Sequence, residues 1–85
     1  MPTDTSAQIL DVLARVAETD EVRTNPELAL FDLQVLDSMK TVELIVAFGS
    51  ELGVEISPAE FEREAWATPR QLVADVQSRL AAATR

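Results

Sequence analysis

Helix-starting signals punctuate this chain, and they constrain its fold more than any other feature. Ser57-Pro58-Ala59-Glu60 and Thr68-Pro69-Arg70-Gln71 share one form: a hydroxyl residue, then proline, then Glu or Gln three residues on from the hydroxyl. The hydroxyl accepts from a first-turn amide that has no helical partner, and proline brings no amide that needs one. Asp37 stands in the same relation to a run that begins at Ser38. Between these signals apolar residues recur every three or four positions, and no stretch alternates as a half-buried strand does.

Four helical stretches follow from that spacing. The first runs from about Thr5 to Glu18, with Ile9, Leu10, Leu13 and Val16 on one stripe and Asp4, Thr5 or Ser6 to cap it. The second runs from about Ser38 to Leu52, with Gly53 placed to end it. A short third opens at the Ser57 signal and ends near Arg63 to Ala65. The fourth opens at Thr68-Pro69, carries Leu72, Val73, Val76 and Leu80, and frays through Ala81-Ala82-Ala83. The long first connection, about Thr19 to Leu36, contains the turn signal Asn25-Pro26. It also holds Leu28, Leu30, Phe31, Leu33, Val35 and Leu36, so it is expected to pack over the helices, with a helical turn near Leu28 to Phe31. The predicted class is all-α: a small four-helix bundle with a long first loop and a short third helix, one domain structured over about residues 5–82.

Composition narrows the chemistry. The 85 residues include no cysteine and no histidine, so the commonest general base, metal ligand and strong nucleophile are missing together. A free-standing enzyme is not expected, and a carboxylate pair such as Glu60 and Glu64 reads better as a solvated acidic face. The net charge of −8 argues against nucleic acid and against anionic membrane surfaces. From Glu18 to Glu64 there are 12 acidic and 3 basic residues. That concentration serves solubility, or steers basic partners to the middle of the chain. The start, Met1 to Gln8, lacks the basic and apolar regions of a signal peptide, and no apolar run is long enough to span a membrane. A soluble cytoplasmic monomer, with no stable membrane insertion, is the expectation.

The second helix is the most informative segment. At about 100° per residue, Thr41, Leu44, Ile45, Phe48 and Leu52 form one stripe, and Met39, Val42 and Val46 form a second, separate one. A helix buried on one face needs a single stripe. The second is either covered by the long loop or exposed as a docking face with Glu43 at its rim. Ser38 lies at the helix start between the stripes, where free amides and the helix dipole favour an anion such as a phosphate ester. Serine is also simply common at helix starts.

Leu36-Asp37-Ser38-Met39 resembles the attachment motif of phosphopantetheine carrier proteins, a group that includes acyl, peptidyl and D-alanyl carriers. Within that group the chain is most similar to the D-alanyl carrier family. The likeness runs through Asn25-Pro26-Glu27-Leu28, Leu30-Phe31, Leu36-Asp37-Ser38-Met39, Thr41-Val42-Glu43-Leu44, Glu60-Phe61-Glu62-Arg63-Glu64 and Trp66-Ala67-Thr68-Pro69. Gln34 and Lys40 depart from the family pattern, which has glycine before the motif and a small residue after its Met. The resemblance implies the acyl-carrier-protein type of bundle. It implies 4′-phosphopantetheine, drawn from coenzyme A, on Ser38, with Asp37 flanking it and the cargo held as a thioester on the arm. Leu36, Met39, Val42, Glu43 and Val46 become the expected partner contacts, and Trp66 the anchor between the third and fourth helices. The implied partners are a phosphopantetheinyl transferase, an adenylating enzyme and an acyltransferase. The alternatives are a stand-alone acyl or peptidyl carrier of a polyketide or nonribosomal peptide pathway, and an acidic helical adaptor with no prosthetic group.

Overall fold

Asp37 begins the central helix as its position in the sequence predicts. In the computed structural model, which describes residues 5–57 and 62–83, its backbone is extended and its carboxylate accepts from the Lys40 amide at 2.9 Å. The helices are α1 (Thr5–Ala17), a single turn α2 (Glu21–Thr24), α3 (Ser38–Leu52) and α4 (Pro69–Ala83), with a 3-10 turn at Arg63–Trp66 ahead of α4. No strand occurs among the described residues, and the class is the predicted all-α bundle. The proposed Ser57–Glu60 capping box cannot be followed past Ser57, because residues 58–61 lie outside the described residues.

Each helix end is accounted for by its local sequence. α1 ends with Glu18 left-handed (φ 60°) and the Thr19 amide donating to the Ala14 carbonyl at 3.2 Å, a Schellman closure made without glycine. α3 ends at Gly53 (φ 72°), whose amide and that of Val54 both donate to the Phe48 carbonyl. At the start of α4, Pro69 has no amide, Arg70 N–H donates to the Pro26 carbonyl, and Gln71 N–H donates to Thr68 Oγ1.

Three observations differ from the sequence-based expectations. The long loop carries an unexpected one-turn helix at Glu21–Thr24, ended at Asn25 ahead of Pro26, while near the expected Leu28 to Phe31 there is a hydrogen-bonded turn, with Leu33 N–H donating to the Ala29 carbonyl at 3.0 Å, and no full helix. The expected third helix lies mostly outside the described residues; where it is expected to end, Glu62 is extended and Arg63–Trp66 form a 3-10 turn. Leu33, expected to pack over the helices, is exposed; the loop instead buries Leu28, Leu30 and Leu36. Backbone bonds from Leu36 to Leu30 and from Leu30 to Ala67 close that loop and tie it to the approach to α4.

α1 lies against α2, α3 and α4, so the core collects around it: Ile9, Val12 and Leu13 meet Leu44 and Phe48 of α3 and Leu72 and Val76 of α4. Trp66, fully buried, joins the remaining faces. Its ring meets Phe48 edge-on at 5.7 Å, and its Nε1–H donates to Asp75 Oδ2 of α4 at 2.8 Å. Arg79 donates to the same oxygen at 2.9 Å, so one oxygen of this part-buried carboxylate serves both partners. Outside the core, Arg23 pairs with both Asp11 and Asp20 and fastens α2 to α1. The bond to Asp11, then that to Asp20, raises the Arg23 guanidinium above its ordinary range.

Two outcomes are expected. Trp66→Ala removes a buried indole and should destabilise the protein by about 3–5 kcal/mol in denaturant unfolding, a large share of what a domain this size has. Gln34, exposed and left-handed (φ 59°), stands where glycine fits without a Cβ clash. Gln34→Gly should raise stability by about 0.5–1 kcal/mol, the relief of strain exceeding the added unfolded-state entropy.

Candidate functional site

The site is the first two turns of α3. Asp37 caps the helix through Lys40 N–H, its carbonyl accepts from Thr41 N–H at 2.9 Å and from Thr41 Oγ1 at 2.7 Å, and Thr41 is buried below. These bonds fix the helix start against the core and leave Ser38, its first residue, on the outside. Ser38 is exposed, and among the described residues no hydrogen bond engages its hydroxyl. The amides of Ser38 and Met39 lie in the first turn, where helical partners are lacking and the dipole is positive. A phosphodiester on Ser38 fits this setting: the hydroxyl is unobstructed, and anionic charge meets the favourable helix end.

The core stripe of α3 is as expected, with Thr41, Leu44 and Phe48 buried and Ile45 and Leu52 partly so. The second stripe is exposed rather than covered: Met39 is 76% exposed, Val42 51% and Val46 63%. Leu33, on the loop before the motif, adds a fourth large exposed apolar side chain. Glu43 is exposed beside Val42 and Val46. Leu36 corrects the expected contact set. It is 1% exposed and sits in the core, where it holds the loop in place and presents nothing to a partner. The apolar loop makes this exchange of Leu33 for Leu36 because its closing bond from Leu36 N–H to the Leu30 carbonyl turns both of those leucines inward.

The contacts that α1 makes near the site escaped sequence reasoning. A groove of about 490 Å³ runs between α1 and α3, and Arg15 and Val16 of α1 form one of its walls opposite Val42, Glu43 and Val46. Arg15 forms an ion pair across it to Glu51. Lys40, the residue that departs from the family pattern, approaches Glu18 at the end of α1, Nζ to carboxylate 3.8 Å. These partners are far apart in the chain, so periodicity carries no sign of them. No group of acidic side chains suited to holding a metal ion occurs among the described residues, and no helix there is long and apolar enough to cross a membrane.

Asp37→Ala should destabilise the protein by about 1 kcal/mol by removing the cap, whereas Asp37→Asn should retain most of that stability. Thermal unfolding of the two variants beside the wild type checks this.

Comparison with known proteins meets the geometry at this point. The family described as "Phosphopantetheine attachment site" matches residues 7–76, a span that includes all of α3. A D-alanyl carrier protein of Lacticaseibacillus casei is 44% identical over 69 residues, 81% of this chain and 85% of the relative. One from Staphylococcus saprophyticus is 42% identical over 67 residues, 79% and 86% of the two chains. One from Bacillus licheniformis is 41% identical over 70 residues, 82% and 90%.

Proposed function

The chain belongs to the phosphopantetheine-attachment family and, within it, to the D-alanyl carrier proteins, and we propose that it carries D-alanine or a similar amino acid on an arm attached at Ser38. It is a carrier and not a catalyst, with a covalent 4′-phosphopantetheine as its prosthetic group and enzymes such as a transferase and a ligase acting on it. That group supplies a terminal thiol, which holds the cargo as a thioester. The chain is a single carrier domain working in the cytoplasm, and its enzymes are a phosphopantetheinyl transferase, an adenylating enzyme that loads the cargo and an acyltransferase that receives it.

The observation that supports the attachment point is the state of Ser38 itself: an exposed, unbonded hydroxyl on the first residue of a capped helix, inside the matched region. The chain's own residues do the rest by placement. Asp37 and Thr41 hold the helix start still. Met39, Val42 and Val46 offer an apolar strip, and Glu43 a carboxylate, to the enzymes that must reach Ser38. An exposed strip of this kind on one helix, rimmed by acid, suits partners with an apolar side chain and a cation beside it.

A natural-product setting is the second reading, and Lys40 beside the attachment point is what favours it, because that cation changes the surface any loading enzyme meets. Incubating the chain with coenzyme A and a broad-specificity phosphopantetheinyl transferase should add the mass of one arm, and Ser38→Ala should add none. No gain in the wild type, or an equal gain in Ser38→Ala, refutes the attachment. D-alanine preferred over other amino acids by the adenylating enzyme that loads the chain supports the first setting; preference for another acid supports the second.

A further inference from the structure

The buried residues of this chain are apolar with one exception. Thr41 is the only residue of polar type that is buried among the described residues. Its neighbours on the core stripe of α3, Leu44, Ile45 and Phe48, are all apolar. Valine would fill the same space, with the same branched shape and about the same helix propensity. A hydroxyl bonded back to the carbonyl four residues earlier adds no stability to a helix and tends to bend it. Stability therefore does not account for the hydroxyl at this position.

What the hydroxyl engages is the peptide that leads into Ser38. Thr41 Oγ1–H donates to the Asp37 carbonyl at 2.7 Å, and Thr41 N–H donates to the same oxygen at 2.9 Å. The N–H bond closes the first turn of α3, and first turns fray. A single bond leaves the peptide plane free to tilt about it. Two bonds, arriving from different points of Thr41, hold the plane. The nitrogen of that same peptide belongs to Ser38, so holding the plane sets the direction in which the serine side chain leaves the helix. A buried residue is thus linked to the exposed attachment serine through one carbonyl.

We propose that Thr41 is a positioning residue for arm addition: its hydroxyl holds the Asp37–Ser38 peptide so that the serine oxygen is presented in one direction. The inference rests on the carrier reading above. In that reaction the Ser38 oxygen bonds to the pantetheine phosphorus of coenzyme A. The anhydride bond to the adenosine-side phosphate breaks, adenosine 3′,5′-bisphosphate leaves with the electron pair, and the serine proton passes to a base on the transferase. A displacement of this kind depends on the direction of the attacking oxygen, and a misplacement of about 1 Å can cost about 100-fold. Thr41 lies below the serine and acts only through it.

The test pairs Thr41→Val, which keeps the shape and loses the hydroxyl, with Thr41→Ser, which keeps the hydroxyl and loses a buried methyl. Arm addition to the intact unmodified chain is followed by mass in single turnovers, with coenzyme A and an excess of a broad-specificity phosphopantetheinyl transferase, so that the maximal rate is separated from binding. Thr41→Val should lower the maximal rate about 5-fold, the worth of one hydrogen bond. Its half-saturating transferase concentration should stay within about 2-fold and its Tm within about 2 °C, because the Asp37 carbonyl keeps its bond to the amide. Thr41→Ser should keep the rate within about 2-fold although its Tm falls by about 4–8 °C. With no enzyme present, amide protection from hydrogen exchange at position 41 should fall about 5-fold in Thr41→Val and hold at Leu44 and Phe48. Rates that follow Tm, with Thr41→Ser the slower variant, overturn the proposal. So does Thr41→Val with the wild-type rate, or with unchanged protection at position 41. Absence of mass gain in every chain, wild type included, refutes the carrier reading instead.

Discussion

Trp66 is the contact on which the arrangement of the helices depends. α1 touches every other helix, but what holds α3 and α4 in register with each other is the indole between them, edge-on to Phe48 and hydrogen-bonded to Asp75. The 3-10 turn that carries Trp66 is only four residues long and has little stability of its own. It is fixed by the side chain it buries. Because Phe48 is committed to that contact, the Thr41–Leu44–Phe48 face of α3 must point inward, and the Met39–Val42–Val46 face is left outside. The exposed apolar strip is a geometric consequence of the core.

Much of the fold could be read from residues that act locally. Asp37, Gly53 and Thr68-Pro69 set helix ends through bonds to amides and carbonyls within a turn, and those ends lie where the spacing predicts. The features that could not be read depend on closure over distance. A one-turn helix at Glu21–Thr24 is too short to show a period, and a salt bridge from Arg23 to Asp11 secures it. Whether Leu33 or Leu36 faces inward is decided by a backbone bond across the loop, since both are leucines in an equally apolar run. The two stripes of α3 were visible in its periodicity, but which of them would be covered was not, because the answer lies on α1 and in the 3-10 turn. For the site, Ser38 and its cap were legible from four residues, while the ion pairs that sort the surrounding carboxylates join residues on different helices.

The division of labour also follows from composition. A chain without cysteine or histidine has few groups able to form or break a covalent bond at neutral pH. What it can offer is a rigid serine in the open and a surface that several enzymes can grip in turn. Rigidity comes from the capped helix and the buried Thr41 beneath it; access comes from the absence of any side chain bonded to the serine hydroxyl among the described residues. Gln34 and Glu18, both left-handed without glycine, show that some stability is forgone at the two loop corners flanking this surface.

The indole has a further consequence. It is the only tryptophan in the chain, it is shut away from solvent, and its nitrogen is tied to a carboxylate. The exposed Met39–Val42–Val46 strip faces away from it on α3. Tryptophan emission in this protein therefore reports on the interior alone: an enzyme settling on the surface leaves the spectrum where it was, and a shift to longer wavelength during loading or transfer signals that the bundle itself has opened.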